Sequence, residues 1–436
     1  MILSLFVGLI ILYICWKKPI VGIAILIQIN LIRAIVTLDF NELCFNCVND
    51  SDVFLGALIP ILGLIVILLK LYSVSENVKF KLSFIDIFFT LTIFTLFYAT
   101  TFSSDIKESI VYTSKFILLA FSYYFVTKTI LLNSKKPDKL IIDFFKTTLI
   151  LGIVIGLISL FLLLFNGKTV DRLTIPGVHP IPFSQLMGFA ILVIFSSFII
   201  NKKLFPIRIG SLVLRGFLLV FLLIILFASN TKGILLSVFL GGIIMLYLKG
   251  FRINKKLLLL VAIIIAPLIF YAISTIGYET LFDRLVRSLE DDSVNHRILS
   301  YVESFEIFLK FPLTGTGPGA YGIYGFLDYP HNFFLENMSQ YGILGIIMNI
   351  YFVFLLFIIF WISNEAKKKN FIYSLLFIFI IYFFVETMVS FTLWMHKGLY
   401  VSLGLFSGYY FNRVKTNKNI FDIKLHTSKS NINVEE

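Results

Sequence analysis

A chain of 436 residues has room for two or three soluble domains, but 58% of this one is hydrophobic, only 14% is charged and its mean hydropathy is +0.95. Globular chains run at roughly 45–50% apolar and about 25% charged, so a soluble fold could neither hide this apolar surface nor coat the rest. The formal net charge of +12 is therefore read against a membrane first, with nucleic acid set aside as the less simple cause.

A membrane-spanning helix needs about 20 apolar residues. The chain supplies such segments in succession: 1–16, 19–38, 53–72, 82–102, 109–132, 141–165, 181–200, 210–228, 233–248, 257–273, 341–362, 371–390 and 398–411. The first has no charge before it and Lys17-Lys18 after it, the reverse of a signal peptide, so it reads as a true span that starts outside. The fold class expected is all-α, a polytopic membrane helical bundle of 12–13 transmembrane helices with one long extracytoplasmic loop. Its parts are an N-terminal bundle 1–273, the loop 274–340, C-terminal helices 341–411 and a tail 412–436.

Alternate connections, from 17–18 to the tail, carry well over twice as many Lys and Arg as the opposite set. Positive side chains stay inside, which puts loops 39–52, 103–108, 166–180, 229–232, 274–340 and 391–397 on the outer face. Cys44 and Cys47 form a C-x-x-C there, read as a local disulfide or two free thiols, and Cys15 lies within a span. Inside the spans, Arg33, Asp86, Lys115, Asp143, Lys146, Arg215 and Glu386 are charged. Intramembrane charges are functional hypotheses by default, so a transporter of polysaccharide precursors is one reading.

The chemistry is expected in loop 274–340, because long loops with their own pattern are usually functional. Asp291-Asp292-Ser293 signals a helix start, and Val294, Ile298, Val302, Phe305 and Phe308 recur at helical spacing. The spacing predicts an amphipathic helix over 294–310 that lies on the membrane or on the bundle. Phe311-Pro312 ends it, and Gly315-Thr316-Gly317-Pro318-Gly319 follows, a turning segment whose backbone can approach a neighbour closely. His331-Asn332 then leads into the next helix, where the imidazole either exchanges protons near neutral pH or caps the helix.

Cations on the outer face raise the question of what anion they hold. Arg172, Lys232 and Arg297 are candidates for phosphate oxygens, whereas Arg284 and Arg287 have Asp283 and Glu290 close in sequence as partners.

Taken in order, these residues resemble the family of bacterial O-antigen ligases and repeat-unit polymerases. The stretch that carries the resemblance is Arg297 in its helix, Phe311 to Gly319, then His331-Asn332-Phe333-Phe334-Leu335 and Tyr341-Gly342-Ile343-Leu344-Gly345. The resemblance implies an all-helical membrane glycosyltransferase that takes its glycan from undecaprenyl diphosphate on the periplasmic side of the bacterial cytoplasmic (inner) membrane. It implies His331 and Arg297 as catalytic residues, Lys232, Arg297 and Arg172 as diphosphate-binding residues, and Gly315, Gly317, Gly319 and Asn332 as structural members of the motif. Lys232 stands where the family has Arg, so charge is kept but bidentate geometry is not. Polymerisation of O-antigen or capsule-type repeat units is the activity expected, with ligation to lipid A–core or another acceptor as the alternative. The partners implied are the lipid-linked oligosaccharide, a glycan acceptor and membrane lipids, with a flippase and chain-length regulators beside them. A diphosphate is already a good leaving group, so no metal or other cofactor is expected, and Asp291-Asp292 is accounted for as a helix start.

Overall fold

The computed structural model describes residues 2–38, 54–74, 78–166, 172–199, 211–249, 292–366 and 370–416. Segment 257–273, Cys44, Cys47, Arg284, Arg287 and most of the tail lie outside the described residues. Every regular element described is a helix. In chain order these are α1 (Ile2–Lys17), α2 (Pro19–Ile27), α3 (Ile29–Val36), α4 (Ile59–Val74), α5 (Phe84–Thr101), α6 (Ile106–Lys115), α7 (Ser122–Leu132), α8 (Pro137–Asn166), α9 (Pro180–Ile199), α10 (Leu212–Ala228) and α11 (Lys232–Lys249). Then come α12 (Asp292–Lys310), α13 (Phe333–Ala366), α14 (Phe371–Thr387) and α15 (Lys397–Thr416). Among the described residues six helices are long and apolar enough to cross a membrane, or seven if the bent pair α2–α3 is one span. The outward sides of these helices expose large apolar groups such as Leu157, Phe161, Ile350 and Phe357, each more than half exposed. Water would not tolerate that surface and lipid does, so the chain is an integral membrane protein.

Two expected spans depart from regular α-helix. Segment 19–38 breaks at Gln28, and its halves meet at 70°. At the break the Tyr123 hydroxyl donates to the Leu26 carbonyl at 3.0 Å; an added donor of this kind is what lets a kink sit inside a bundle. Segment 109–132 runs from α6 to α7 through a π turn over Phe116–Phe121.

Close helix contacts come from small residues, as expected where lipid offers no hydrophobic drive. Gly404 and Gly408 on α15 lie four residues apart against α7, and a Cβ on them would meet Tyr124 O at 2.6 Å and Lys128 O at 2.5 Å. At the Lys-rich end of the same pair, Lys128 is ion-paired with Asp86, to which the Tyr124 hydroxyl also donates at 2.7 Å.

The helix α13 is broken at Gly342 (φ 59°, ψ −137°). Fifteen residues of straight helix would separate Phe334 from Asn349 by about 22 Å. Instead the Asn349 side chain donates to Phe334 O at 2.9 Å and accepts from Asn337 at 2.7 Å. The chain therefore folds back on itself, so that Phe333–Tyr341 is a short helix lying alongside the start of the long span.

Candidate functional site

The fold-back is held by the glycine run. Thr316 N–H donates to Ser339 O at 3.1 Å, Gly317 N–H to Gln340 O at 3.0 Å and Gly319 N–H to the Gln340 side chain at 2.8 Å. Ile343 N–H reaches Pro312 O at 2.8 Å. The carbonyls that the break would strand are thereby satisfied. Gly315, Gly317 and Gly319 all have positive φ, and a Cβ would lie 2.2 Å from the Gln340 backbone at the first and 2.2 Å from Ser103 Oγ at the second. The run is a wedge between the α5–α6 turn and α13.

That wedge sets the position of the motif residues. Asn332 is the helix cap: its Oδ1 accepts from Phe334 and Leu335 N–H, both at 3.1 Å, while its Nδ2 donates to Met388 O at 3.3 Å. His331 is thus relieved of capping. It sits in the left-handed region (φ 54°), half-buried, with its ring centroid 4.3 Å from that of Tyr329 and its buried Nδ1 without a hydrogen-bond partner. Strained backbone at a non-glycine residue is often kept for function.

The helix α12 presents Arg297 from the other side. Its serine face is the packed one: Ser300 and Ser304 are fully buried, Ser300 Oγ reaches Pro330 O at 3.4 Å, and the Tyr321 hydroxyl donates to Ser300 O at 2.9 Å. Ile298, Val302, Phe305 and Leu309 point outward and are each more than half exposed.

Electrostatics tie the cations to the histidines. Burial pushes the His331 imidazole down to about 4, helped by the charges of Arg297 and His179 and opposed by Asp328. His179 is lowered by burial and by the Arg172 guanidinium. Burial, with Glu336 and Asp328, raises the Tyr329 phenol to about 12, against the pull of Arg297. Arg297, His331, His179 and Arg172 therefore form one field at one end of the bundle, in which both imidazoles are held toward the neutral form. Lys232 opens α11 and is exposed. A Cβ on its neighbour Gly233 would touch Val389 at 2.5 Å, next to the Met388 carbonyl that Asn332 holds. Lys232 is thus at the same end, flanking the same short segment as His331.

Sequence reasoning passed over Glu336 and Tyr329. Glu336 is buried on the short helix and accepts from the Tyr112 hydroxyl at 2.7 Å, from Thr392 and from Leu393 N–H at 3.2 Å. It fastens the 391–396 connection to the motif. A carboxylate five residues after His331, the one acid within Phe333–Tyr341, was the available signal. Among the described residues no three His, Cys, Asp or Glu cluster as a metal site.

Residues 217–350 match the family model described as O-antigen ligase. No curated protein and no solved structure matches the chain. The matched stretch runs from within α10 to the far side of the fold-back in α13, and so contains Lys232, Arg297, the glycine wedge and His331. The match, which spans less than half of the chain, makes residues 217–350 similar to the O-antigen ligase family.

Proposed function

We propose that the chain is a membrane glycosyltransferase. It takes a glycan from undecaprenyl diphosphate on the outer face of the cytoplasmic membrane and joins repeat units into a longer chain, without a metal or organic cofactor. What supports this reading is the convergence of Arg297 and Arg172 on two neutral histidines, one of which, His331, has an unpaired buried nitrogen. Arg297 and Lys232, with Arg172, hold the diphosphate and stabilise the charge that grows on it as the glycosidic bond breaks. His331 accepts the proton of the acceptor hydroxyl, whose oxygen forms the new bond to the sugar carbon while the diphosphate leaves with the old bonding pair. Burial, and then the charge of Arg297, hold the free His331 low. A bound diphosphate offsets that charge, so the base strengthens when donor is in place.

Transfer of a finished glycan to lipid A–core is a second reading, favoured by the ligase description of the family matched over 217–350. In either, a flippase supplies the donor from the cytoplasmic side, and chain-length regulators act on the polymerising form.

The test is the purified full chain with a donor bearing one repeat unit. A ladder of products is expected from the parent, unchanged by EDTA, and a loss of about 10²–10⁴ in rate from His331→Ala. Product only after lipid A–core is added selects the ligase. A full ladder from His331→Ala ends the catalytic assignment, and vesicle uptake of substrate without any product returns the transporter.

A further inference from the structure

Among the described residues three non-glycines lie in the left-handed region: Asn230 (φ 50°), His331 (φ 54°) and Phe391 (φ 62°). Asparagine adopts that conformation readily, whereas a bulky side chain there is an outlier that its surroundings must hold. Phe391 is held by the short helix behind His331. Asn332 Nδ2 donates to Met388 O at 3.3 Å on one side of it. On the other side Glu336 accepts from the Thr392 hydroxyl and from Leu393 N–H at 3.2 Å, and the Tyr400 hydroxyl donates to Leu393 O at 2.6 Å. The element that displays the imidazole thus also displays the phenyl ring. Glycine or asparagine at 391 would make the same turn with less strain, so the turn alone does not account for a ring there.

The ring is half-buried and lines a cavity of about 250 Å³ beyond His179, between α3, α9, α14 and the start of α15. His179 and His396 adjoin it at 6.3 and 6.4 Å between ring centroids, inclined at 61° and 60°, so neither stacks flat on it. Trp394 shares the cavity, but Lys115 Nζ lies over its ring at 5.2 Å. His179 Nδ1 accepts the Ile181 N–H at 3.3 Å, which in a neutral imidazole leaves Nε2 as a donor. An aromatic face beside a hydrogen-bond donor suits a pyranose. Its C–H groups, slightly positive, lie on the negative face of the ring, and a hydroxyl takes the donor. An isoprenoid chain would also lie on a ring, but Arg33, Gln185 and Glu386 line the same cavity, and covering them with hydrocarbon is costly.

We propose that Phe391 is the platform on which a sugar ring of the bound glycan stacks, and that His179 Nε2–H donates to a hydroxyl of that ring. The inference rests on the glycosyl-transfer reading and adds to it a residue that contacts substrate outside the diphosphate set.

Thermal shift of the full chain in detergent tests it with two probes, the lipid-linked repeat unit extracted from the producing cells and undecaprenyl diphosphate without glycan. Phe391→Leu keeps the β-carbon and an apolar side chain, so a packing role would survive it. It should need about tenfold more repeat unit than the parent for the same shift, the upper end of what one ring contact is worth. Its response to the bare lipid should be unchanged. Phe391→Tyr keeps the ring and should stay within about threefold of the parent. Should Phe391→Leu fail to fold, Phe391→Asn, suited to the left-handed backbone, is the deciding variant. In turnover the loss should fall on KM for the repeat unit and leave kcat nearly unchanged. A parent-like response from Phe391→Leu, an equal loss for both probes, a loss in Phe391→Tyr as large as in Phe391→Leu, or a fall in kcat at constant KM would each overturn the platform. Binding separates from turnover. An inactive His331→Ala with no effect of Phe391→Leu leaves the transferase standing and removes the platform. A fully active His331→Ala with the tenfold loss intact in Phe391→Leu does the reverse.

Discussion

At the scale of single residues the site works by coupling, and His331 is where this is measurable. Its imidazole is a weak base in the free protein because it is half-buried beside Arg297 and His179. A histidine with a depressed pKa is neutral above that value, so at about pH 4 and higher it is able to accept a proton. Replacing Arg297 with Gln takes away one of the charges that hold it down. The His331 midpoint in a histidine NMR titration should then rise, while turnover falls by about 10²–10³ because the leaving diphosphate loses its donor. A midpoint that stays put would separate the two residues. In the parent, the acid limb of kcat should lie at higher pH than that of kcat/KM, since the first reports the donor-bound state and bound diphosphate adds negative charge. The residue types at this candidate site were legible in the sequence, because a His and an Arg in a long polar loop stand out from an apolar background. The division of labour between His331 and Asn332 was not. Whether a histidine caps or is displayed depends on which of two adjacent side chains turns toward the helix, and neither spacing nor composition encodes that.

At the scale of elements the glycine wedge and the fold-back are one device. The sequence announced a tight turn, but not what it turns against, because the partners of Gly315 and Gly317 are the Gln340 backbone and Ser103, far away along the chain. Gly317→Ala should destabilise the protein by about 1–3 kcal/mol, from positive φ together with a contact that must be pushed apart. Gly322→Ala in the same loop should cost little, since its φ is ordinary and its Cβ would find Asp328 at 3.4 Å. Thermal unfolding of the two variants in one detergent is the comparison, and equal losses would dismiss the wedge. The bend at Gln28 was equally hidden, because 19–38 is apolar without interruption by Gly or Pro after Pro19 except at Gly22, well before the break.

At the scale of the whole molecule, hydropathy made the membrane-spanning, all-helical class readable, since lipid imposes a length and a polarity that any chain must obey. The cavity beyond His179 was unreadable for the opposite reason: its walls come from several helices distant in sequence, and Arg33 and Glu386 looked like isolated charges in separate spans. Reporter fusions after Asn230 and within 311–330 should read outside, and one after Ser134 inside; a cytoplasmic signal from 311–330 would remove the donor-facing site. The outward apolar side of α12 has a consequence of its own. Arg297 rides on a helix whose Ile298, Val302, Phe305 and Leu309 are set to dip into the adjoining leaflet, whereas the Asn332 bond to Met388 O clamps the segment that carries His331 to the bundle. The gap between the two is then set partly by how thick and how tightly packed the surrounding bilayer is. The lipid around this protein becomes a tuning parameter of its reaction centre, and nanodiscs of graded acyl-chain length should give graded turnover with no change in the amino-acid sequence.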